Sequence, residues 1–500
     1  MRLTRLIVLC LAALCVCGSA RALTIPDFRL PAKTFFAQSP APKDGKKVFA
    51  WYMVCCGGFG GNNVSFAEQV VEYKAEILMA KSMGIDGFGL DLMEPNDVYH
   101  TAIAAMFQAA RDVGPDFKLF FEFDQSLPPK KPVDYVDLMK QYHAHPNYYQ
   151  FNGLPLVCAY GADCGFKQPS EAVDWWKTNV IQPLVDRGIK IYFVPTTFGQ
   201  FAPPNTAWIS HEATIAEIAG WGDVAQGQSV WMIQLSPIGG GLDTLENYGT
   251  ELRKAGKTWM STISTHYWVG SSRSVPGWYW KPGQAESPTC INGSYFEHAG
   301  GQGLAAQWDS VIRVQKPEWV MLLTWNDYNE SYIEPVDDYK KYPNGTADAP
   351  LGWYKPQCGM DELNRYYVQW YKSGVQPPIT ADSIFYAYRT SSAALKAELD
   401  TRAPVKCGNG SAPDSLFVTT ALTAPAELRV LSGGVAASQK VPAGIHSTLI
   451  PFHVGPQTFS LWRNGVKINS VTGEPVVSSI KFYDYWPTTG YVETPVAGRK

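Results

Sequence analysis

The sequence predicts an α/β fold: a (β/α)8 TIM-type barrel followed by a C-terminal β-sandwich domain. Three observations carry that expectation. Apolar runs of strand length alternate with helical patterns eight times between residues 47 and 374, and strands separated by helices imply a parallel sheet. Eight such units over roughly 330 residues suit a closed barrel with enlarged loops. From about residue 380 the helical period gives way to short alternating runs broken by Gly, Pro, Asn and Ser, the texture of a sandwich. For the first part, an open doubly wound sheet is the alternative.

The units follow in order. KKVFAWYMVC (47–56) reads as a strand, and FAEQVVEYKAEILMAKSMG (66–84) as a helix with apolar residues at helical spacing. IDGFGLDLM (85–93) precedes a helix over 96–114, capped by Asn96 or Asp97 and closed by Gly114. FKLFFEFD (117–124) precedes VDYVDLMKQYH. Strands at 154–161, 189–197, 229–236, 257–268 and 318–327 precede helices at 169–188, 211–220, 242–256, 303–315 and 360–374. The expected domains are a signal peptide over 1–22, the barrel over 23–378 and the sandwich over 379–500.

The signal peptide is read from Arg2 and Arg5, an apolar run from Leu6 to Cys17 and a small-x-small site at Ala20-Arg21-Ala22. The run falls short of the ~20 residues that span a bilayer, which disfavours an uncleaved anchor. Secretion and an extracellular location follow. Cleavage removes Arg2, Arg5 and Arg21 and no acids, taking the formal charge from −3 to −6. A mildly acidic surface disfavours nucleic acid or an anionic membrane as partner and does not oppose a neutral substrate such as a polysaccharide. A monomer is expected. In a secreted chain the cysteines lean towards disulfides, and Cys158 and Cys164, flanking a short loop, are the best candidate pair. Sequons occur at Asn63, Asn292, Asn329, Asn344 and Asn409. A glycan on Asn329 would obstruct the motif discussed next, so that site is expected to be empty. Aromatics make up 13% of the chain, with 17 Trp. Most of these rings serve a large core, and some can stack on sugar faces.

A barrel gathers its site at the C-terminal ends of its strands. The second strand ends at Asp91, the third at Glu122 and Asp124, the seventh at His266, Tyr267 and Trp268, and the eighth at Trp325, Asn326, Asp327 and Glu330. Glu122 and Asp124, two apart, face the same way. Each acid alone could be a cap or a strand-end ion pair; several on one rim suit glycoside hydrolysis, which needs two carboxylates. Asp86 starts its strand on the opposite rim, where geometry gives it a structural role. The Gly-rich loop CCGGFGGNN (55–63) lacks the Walker lysine and matches no dinucleotide fingerprint. HAHP (143–146) falls at a helix end rather than a strand tip. No spacing suggests a metal site, and no cofactor is implied.

Read in order, GIDGFGLDLM after AEILMAKSMG, then KLFFEFDQS, then TWNDYNES, resemble the fungal α-1,3-glucanases (mutanases) of glycoside hydrolase family 71. The resemblance is strongest over 47–125 and 300–335. That family's last motif usually reads TWNDYGES. The resemblance implies a barrel plus sandwich and an inverting, metal-free hydrolase of α-1,3-glucan. It assigns Asp327 and Glu330 to catalysis and adds Asp86, against the geometric reading. Asp91, Glu122, Asp124, His266, Tyr267, Trp325 and Asn326 are expected to bind substrate. Asn329 replaces the family's Gly, Asp91 replaces an expected Asn, and 196–241 departs from the family wording, which leaves linkage specificity open. A hydrolase of another α-glucan or an α-mannoside, and a barrel that binds sugar without cutting it, are the alternatives.

Overall fold

The computed structural model describes residues 30, 34–38, 45–54, 64–93, 97–125, 132–166, 168–198, 210–231, 237, 241–268, 294–328, 330–334, 340–341, 353–355, 357–398, 405–406, 414–481 and 483–494. The signal peptide, the loop 55–63, the Asn96 cap, all five sequons and Cys55, Cys56, Cys290 and Cys407 lie outside them.

Eight parallel strands close into a barrel. They are β1 (Lys47–Met53), β2 (Gly87–Leu92), β3 (Lys118–Phe123), β4 (Leu154–Tyr160), β5 (Tyr192–Thr197), β6 (Gly227–Val230), β7 (Thr258–Ser264) and β8 (Trp319–Leu323). Each pairs with the next, β8 returns to β1, and Gln150–Phe151 adds a short antiparallel strand beside β4. Helices follow the strands: α1 (Phe66–Ser82), α2 (Asp97–Val113), α3 (Pro132–Tyr142), α4 (Pro169–Trp176, continued to Val185), α5 (His211–Trp221), α6 (Asp243–Lys254), α7 (Gly300–Ser310, continued to Gln315) and α8 (Cys358–Ser373). Local chemistry sets several ends. Ser65 and Glu68 form a reciprocal capping box on α1, and Gly114 closes α2 with φ +131°.

The barrel is filled, not hollow. At its N-terminal end Phe49 meets Phe120 and Tyr149 with ring centroids 4.9 and 5.0 Å apart, and Phe151 meets Trp319 at 4.8 Å. Above them, Gly89 leaves room for the Met321 methyl and the Phe120 ring; a Cβ there would stand 3.0 Å from both. β2 carries Gly at position 89 because larger residues of β3 and β8 occupy the axis there.

Several expected strands end early; those read over 47–56 and 229–236 leave the ladder at Met53 and Val230. The one read over 257–268 stops at Ser264, and Tyr267–Trp268 instead pair antiparallel with Tyr295–Phe296. The one read over 318–327 stops at Leu323. In both, apolar composition continues past the point where the ladder ends.

The C-terminal part is a sandwich of two four-stranded antiparallel sheets. One orders β13 (Gly444–Pro451), β10 (Ser415–Leu422), β9 (Ser383–Tyr388) and β16 (Thr488–Glu493). The other orders β12 (Val435–Val441), β11 (Ala426–Ser432), β14 (Gly455–Arg463) and β15 (Val466–Val476). The first sheet lies against α7 and α8, so every residue of β10 is buried. β11 alternates between buried and more open positions, as expected of a sheet with one solvated face. At Gly359 the fit is close enough that a Cβ would lie 2.5 Å from the Gly490 carbonyl oxygen.

Acids are buried at this seam. Glu362 of α8 accepts from the Thr34 hydroxyl, with Arg365 at 3.4 Å and Glu493 of β16 near enough to repel it. Burial pushes its carboxyl up to about 7. A folded-state pKa above the unfolded one means stability that is full in acid and is lost as pH rises through 7. The melting temperature is therefore expected to fall between pH 5 and pH 8, and Glu362→Gln to shrink that fall; thermal melts across pH check this.

Candidate active site

The peptide between Leu323 and Thr324 is cis, and beyond it the chain turns back on itself. Asn326–Asp327 pair antiparallel with Ser331–Tyr332, so the two sides of the TWNDYNES motif form a hairpin at the C-terminal end of the barrel. Thr324 folds it locally: its hydroxyl donates to the Ser331 carbonyl and accepts the Asp327 N–H at 2.8 Å. The Glu330 N–H donates to the Asp327 carbonyl at 3.0 Å. The hairpin is then bolted to both neighbouring strand tips. Towards β1, the Asn326 side chain accepts the Met53 N–H at 2.7 Å and donates to the Met53 carbonyl at 3.2 Å. Towards β7, the Trp268 N–H donates to the Glu330 carbonyl at 2.9 Å.

Asp327 and Glu330 are both half-buried. Desolvation, and then the Asp327 charge, push the Glu330 carboxyl well above the usual carboxylate range. Such a group keeps its proton where an ordinary acid is ionised.

Other strand tips contribute the rest. Tyr160 closes β4, and its phenol is pushed up by burial, then by Glu330, Asp124 and Asp91 in that order, and by Tyr267. Asp124 and Asp91 also act on Tyr135, whose hydroxyl donates to the Asp124 carbonyl at 2.9 Å. The inward alternation that Gly89 marks in β2 carries on to Asp91. Trp51 of β1 and Trp231, just past β6, wall this group, with ring centroids 5.3 and 4.8 Å from Tyr160 and 5.0 Å from each other. Among the described residues no cluster of three or more His, Cys, Asp or Glu could hold a metal ion.

The structure thus gathers Asp327, Glu330, Asp91, Asp124 and Tyr267 and places the other predicted site residues elsewhere. Trp325 is fully buried and turned outward, its indole against Phe88 at 5.1 Å and its N–H on Glu76 of α1. Asn326, also fully buried, uses its amide on Met53 rather than on a ligand. His266 alternates with Tyr267 and so faces the other way, edge-on to Tyr332 and Trp486. Burial, then His298, lowers its pKa to about 3, and its Nε2 accepts the Tyr332 N–H at 3.4 Å. Glu122 lies below the rim, with no exposed surface, opposite Cys158 of β4, and burial pushes its carboxyl well above the usual range. Cys158 and Cys164 are not joined, because Cys158 points into the barrel beside Glu122. Asp86 stands at the far end of the barrel, accepting the Val48 N–H at 2.9 Å and the Lys372 ammonium at 2.7 Å. That gives it a bracing position between β1, β2 and α8.

Tyr160, Trp51 and Trp231 escaped the sequence reading. The strand-tip rule covers Tyr160 as well as any acid. In sequence, an aromatic at a strand end carries the same signal as a core residue.

Residues 44–498 match the sequence pattern of glycosyl hydrolase family 71. The chain belongs to that family. Family 71 enzymes are glycoside hydrolases, and this chain is one. It is 27% identical over 467 residues to a mutanase of Penicillium rubens, covering 90% of each chain. It is 25% identical over 458 residues to the glucan endo-1,3-alpha-glucosidase agn1 of Schizosaccharomyces pombe, covering 89% of this chain and 94% of that one. Among solved structures it is similar to a GH99 endo-alpha-mannosidase of Bacteroides thetaiotaomicron, with a TM-score of 0.43 and 12% identity over 65% of this chain and 96% of that one.

Asn326 gives a test of the family 71 hairpin as a built object. Asn326→Ala leaves the Met53 N–H and C=O without their partner, and an orphaned polar group costs about 1–3 kcal/mol. The variant is expected to lose stability in that range by urea unfolding and to lose activity with it.

Proposed function

We propose that this chain is a secreted hydrolase of α-1,3-glucan that inverts the anomeric centre, with Glu330 as general acid and Asp327 as general base. The observation that carries the reading is the pair itself: two carboxyls on one rim hairpin, with the pKa of one raised by burial and by the charge of the other. Two such acids with separated tasks are what glycoside hydrolysis requires.

The step balances as follows. Glu330 gives its proton to the glycosidic oxygen as the bond from C1 to that oxygen breaks. Asp327 takes a proton from a water whose oxygen bonds to C1 from the opposite face. The product is a β-configured hemiacetal and a free hydroxyl on the leaving sugar. Inversion needs room for that water, about 6.5–9.5 Å between the carboxyls. Asp91, Asp124 and Tyr160 can accept or donate hydrogen bonds to sugar hydroxyls, and the edges of Trp51 and Trp231 offer apolar surface. The α-1,3 linkage is taken from the name of the Schizosaccharomyces pombe relative. Secretion rests on the N-terminal pattern; among the described residues no helix is long and apolar enough to cross a membrane. The sandwich, with its inner sheet covered by α7 and α8, acts as a brace for the barrel.

Purified protein is expected to release reducing sugar from insoluble α-1,3-glucan. Asp327→Asn and Glu330→Gln should each lower kcat by about 10²–10⁴-fold while staying folded. Proton NMR of the first product should show the β anomer; an α product would mean retention. Release only from another α-glucan or an α-mannoside would keep the chemistry and move the substrate. Binding to the glucan without release would make this a binding barrel.

The pH profile follows from the same pair. Glu330 must hold its proton, so kcat should fall as pH rises through its raised pKa. The alkaline limb should lie well above about 4.3, the value of an ordinary glutamate.

A further inference from the structure

Helix α1 carries an anomaly. Gln69, Glu72 and Glu76 share one face at helical spacing, and that face points into the protein: they are 3%, 0% and 0% exposed. Desolvating a carboxylate costs several kcal/mol, so a packing role alone would favour leucine at these positions.

Glu76 has a specific partner. Its Oε2 accepts the Trp325 indole N–H at 3.0 Å, across 249 residues of chain, and its charge helps to push the nearby Tyr52 phenol up, after burial. Trp325 lies two residues before Asp327. Its backbone N–H donates to the Trp51 carbonyl at 2.6 Å, and its carbonyl accepts the Glu334 N–H at 2.9 Å. Glu334 in turn accepts from the hydroxyl of Tyr328, the residue next to Asp327. Packing on Phe88 holds the plane of the Trp325 ring. The single polar atom of the indole fixes which way that plane is turned, and Glu76 is what it is turned towards.

We propose that Glu76 is the positioning residue of the acid-bearing hairpin: its bond to Trp325 orients the segment that presents Asp327 and Glu330. The proposal rests on the reading of those two acids as the reacting groups. It assigns Glu76 no contact with substrate.

The test compares Glu76→Ala and Glu76→Gln with the wild type by kinetics on α-1,3-glucan and by hydrogen exchange. In Glu76→Ala, kcat should fall roughly 10- to 100-fold, as for a displaced catalytic group, with KM changed much less. The amides of Trp325, Asp327, Ile333 and Glu334 should exchange faster while those of β2 to β5 do not. Glu76→Gln keeps an acceptor oxygen and should restore both readouts. Where Glu76→Ala does not fold, Trp325→Phe removes the same bond from the other side and should show the same changes. Lower melting temperature with unchanged kcat and unchanged hairpin exchange would overturn the proposal. So would a kcat loss without faster hairpin exchange, or a Glu76→Gln that behaves like Glu76→Ala. If the wild type does not cleave the glucan, the functional reading fails by itself. Hairpin exchange then decides the positioning role: faster exchange in Glu76→Ala with recovery in Glu76→Gln upholds it, and any other pattern overturns it.

Discussion

Closure of the parallel sheet through β8 is the constraint on which the rest depends. β8 pairs with β1 on one side and β7 on the other. Without that double pairing the strand tips would lie along an open edge rather than around one rim. Because the ring closes, Asp91 from β2, Asp124 from β3, Tyr160 from β4 and the hairpin after β8 face a common mouth. Closure also makes the barrel a low-dielectric body, filled at its lower end by Phe49, Phe120 and Trp319. Carboxyls on such a rim differ in how much water they keep.

The hairpin carries Asp327 and Glu330 into that environment. Its fixings point away from the mouth: Asn326 to the β1 backbone, Trp325 to α1, and the Glu330 carbonyl to Trp268. The backbone around the two acids is thus fixed by contacts that lie outside the mouth. A site of this kind is precise because its backing is rigid. Behind the rim, Trp268, Tyr295, Tyr328, Tyr332, Tyr485 and Trp486 form one aromatic cluster that joins the hairpin to the C-terminal segment. The sandwich side of the chain therefore reaches the catalytic rim through packing.

Much of this was legible in the sequence. The alternation of apolar runs and helical patterns located all eight barrel units, because a strand buried on both faces and an amphipathic helix leave different periods. Strand ends were less legible. Apolar character runs through Thr265 to Trp268 and through Trp325, while the ladder stops at Ser264 and Leu323; composition reports burial, not pairing. The strand-tip rule placed Asp91 and Asp124 at the mouth, since period-two alternation fixes which residues face inward; Asp327 and Glu330 reach the same rim through the hairpin, which alternation does not describe. It misplaced Trp325, Asn326 and His266, where the chain leaves the strand and alternation no longer applies. Glu76 gave no local signal: its partner is 249 residues away, and only the closed barrel brings them together.

The central claim is that Glu330 supplies the proton and Asp327 activates the water. The measurement that tests it most directly is hydrolysis of α-1,3-linked oligoglucosides carrying a 2,4-dinitrophenyl aglycone, a leaving group that departs without protonation. Glu330→Gln should regain much of its rate on this substrate while Asp327→Asn stays inactive. Rescue of Asp327→Asn instead, or of neither variant, would contradict the assignment.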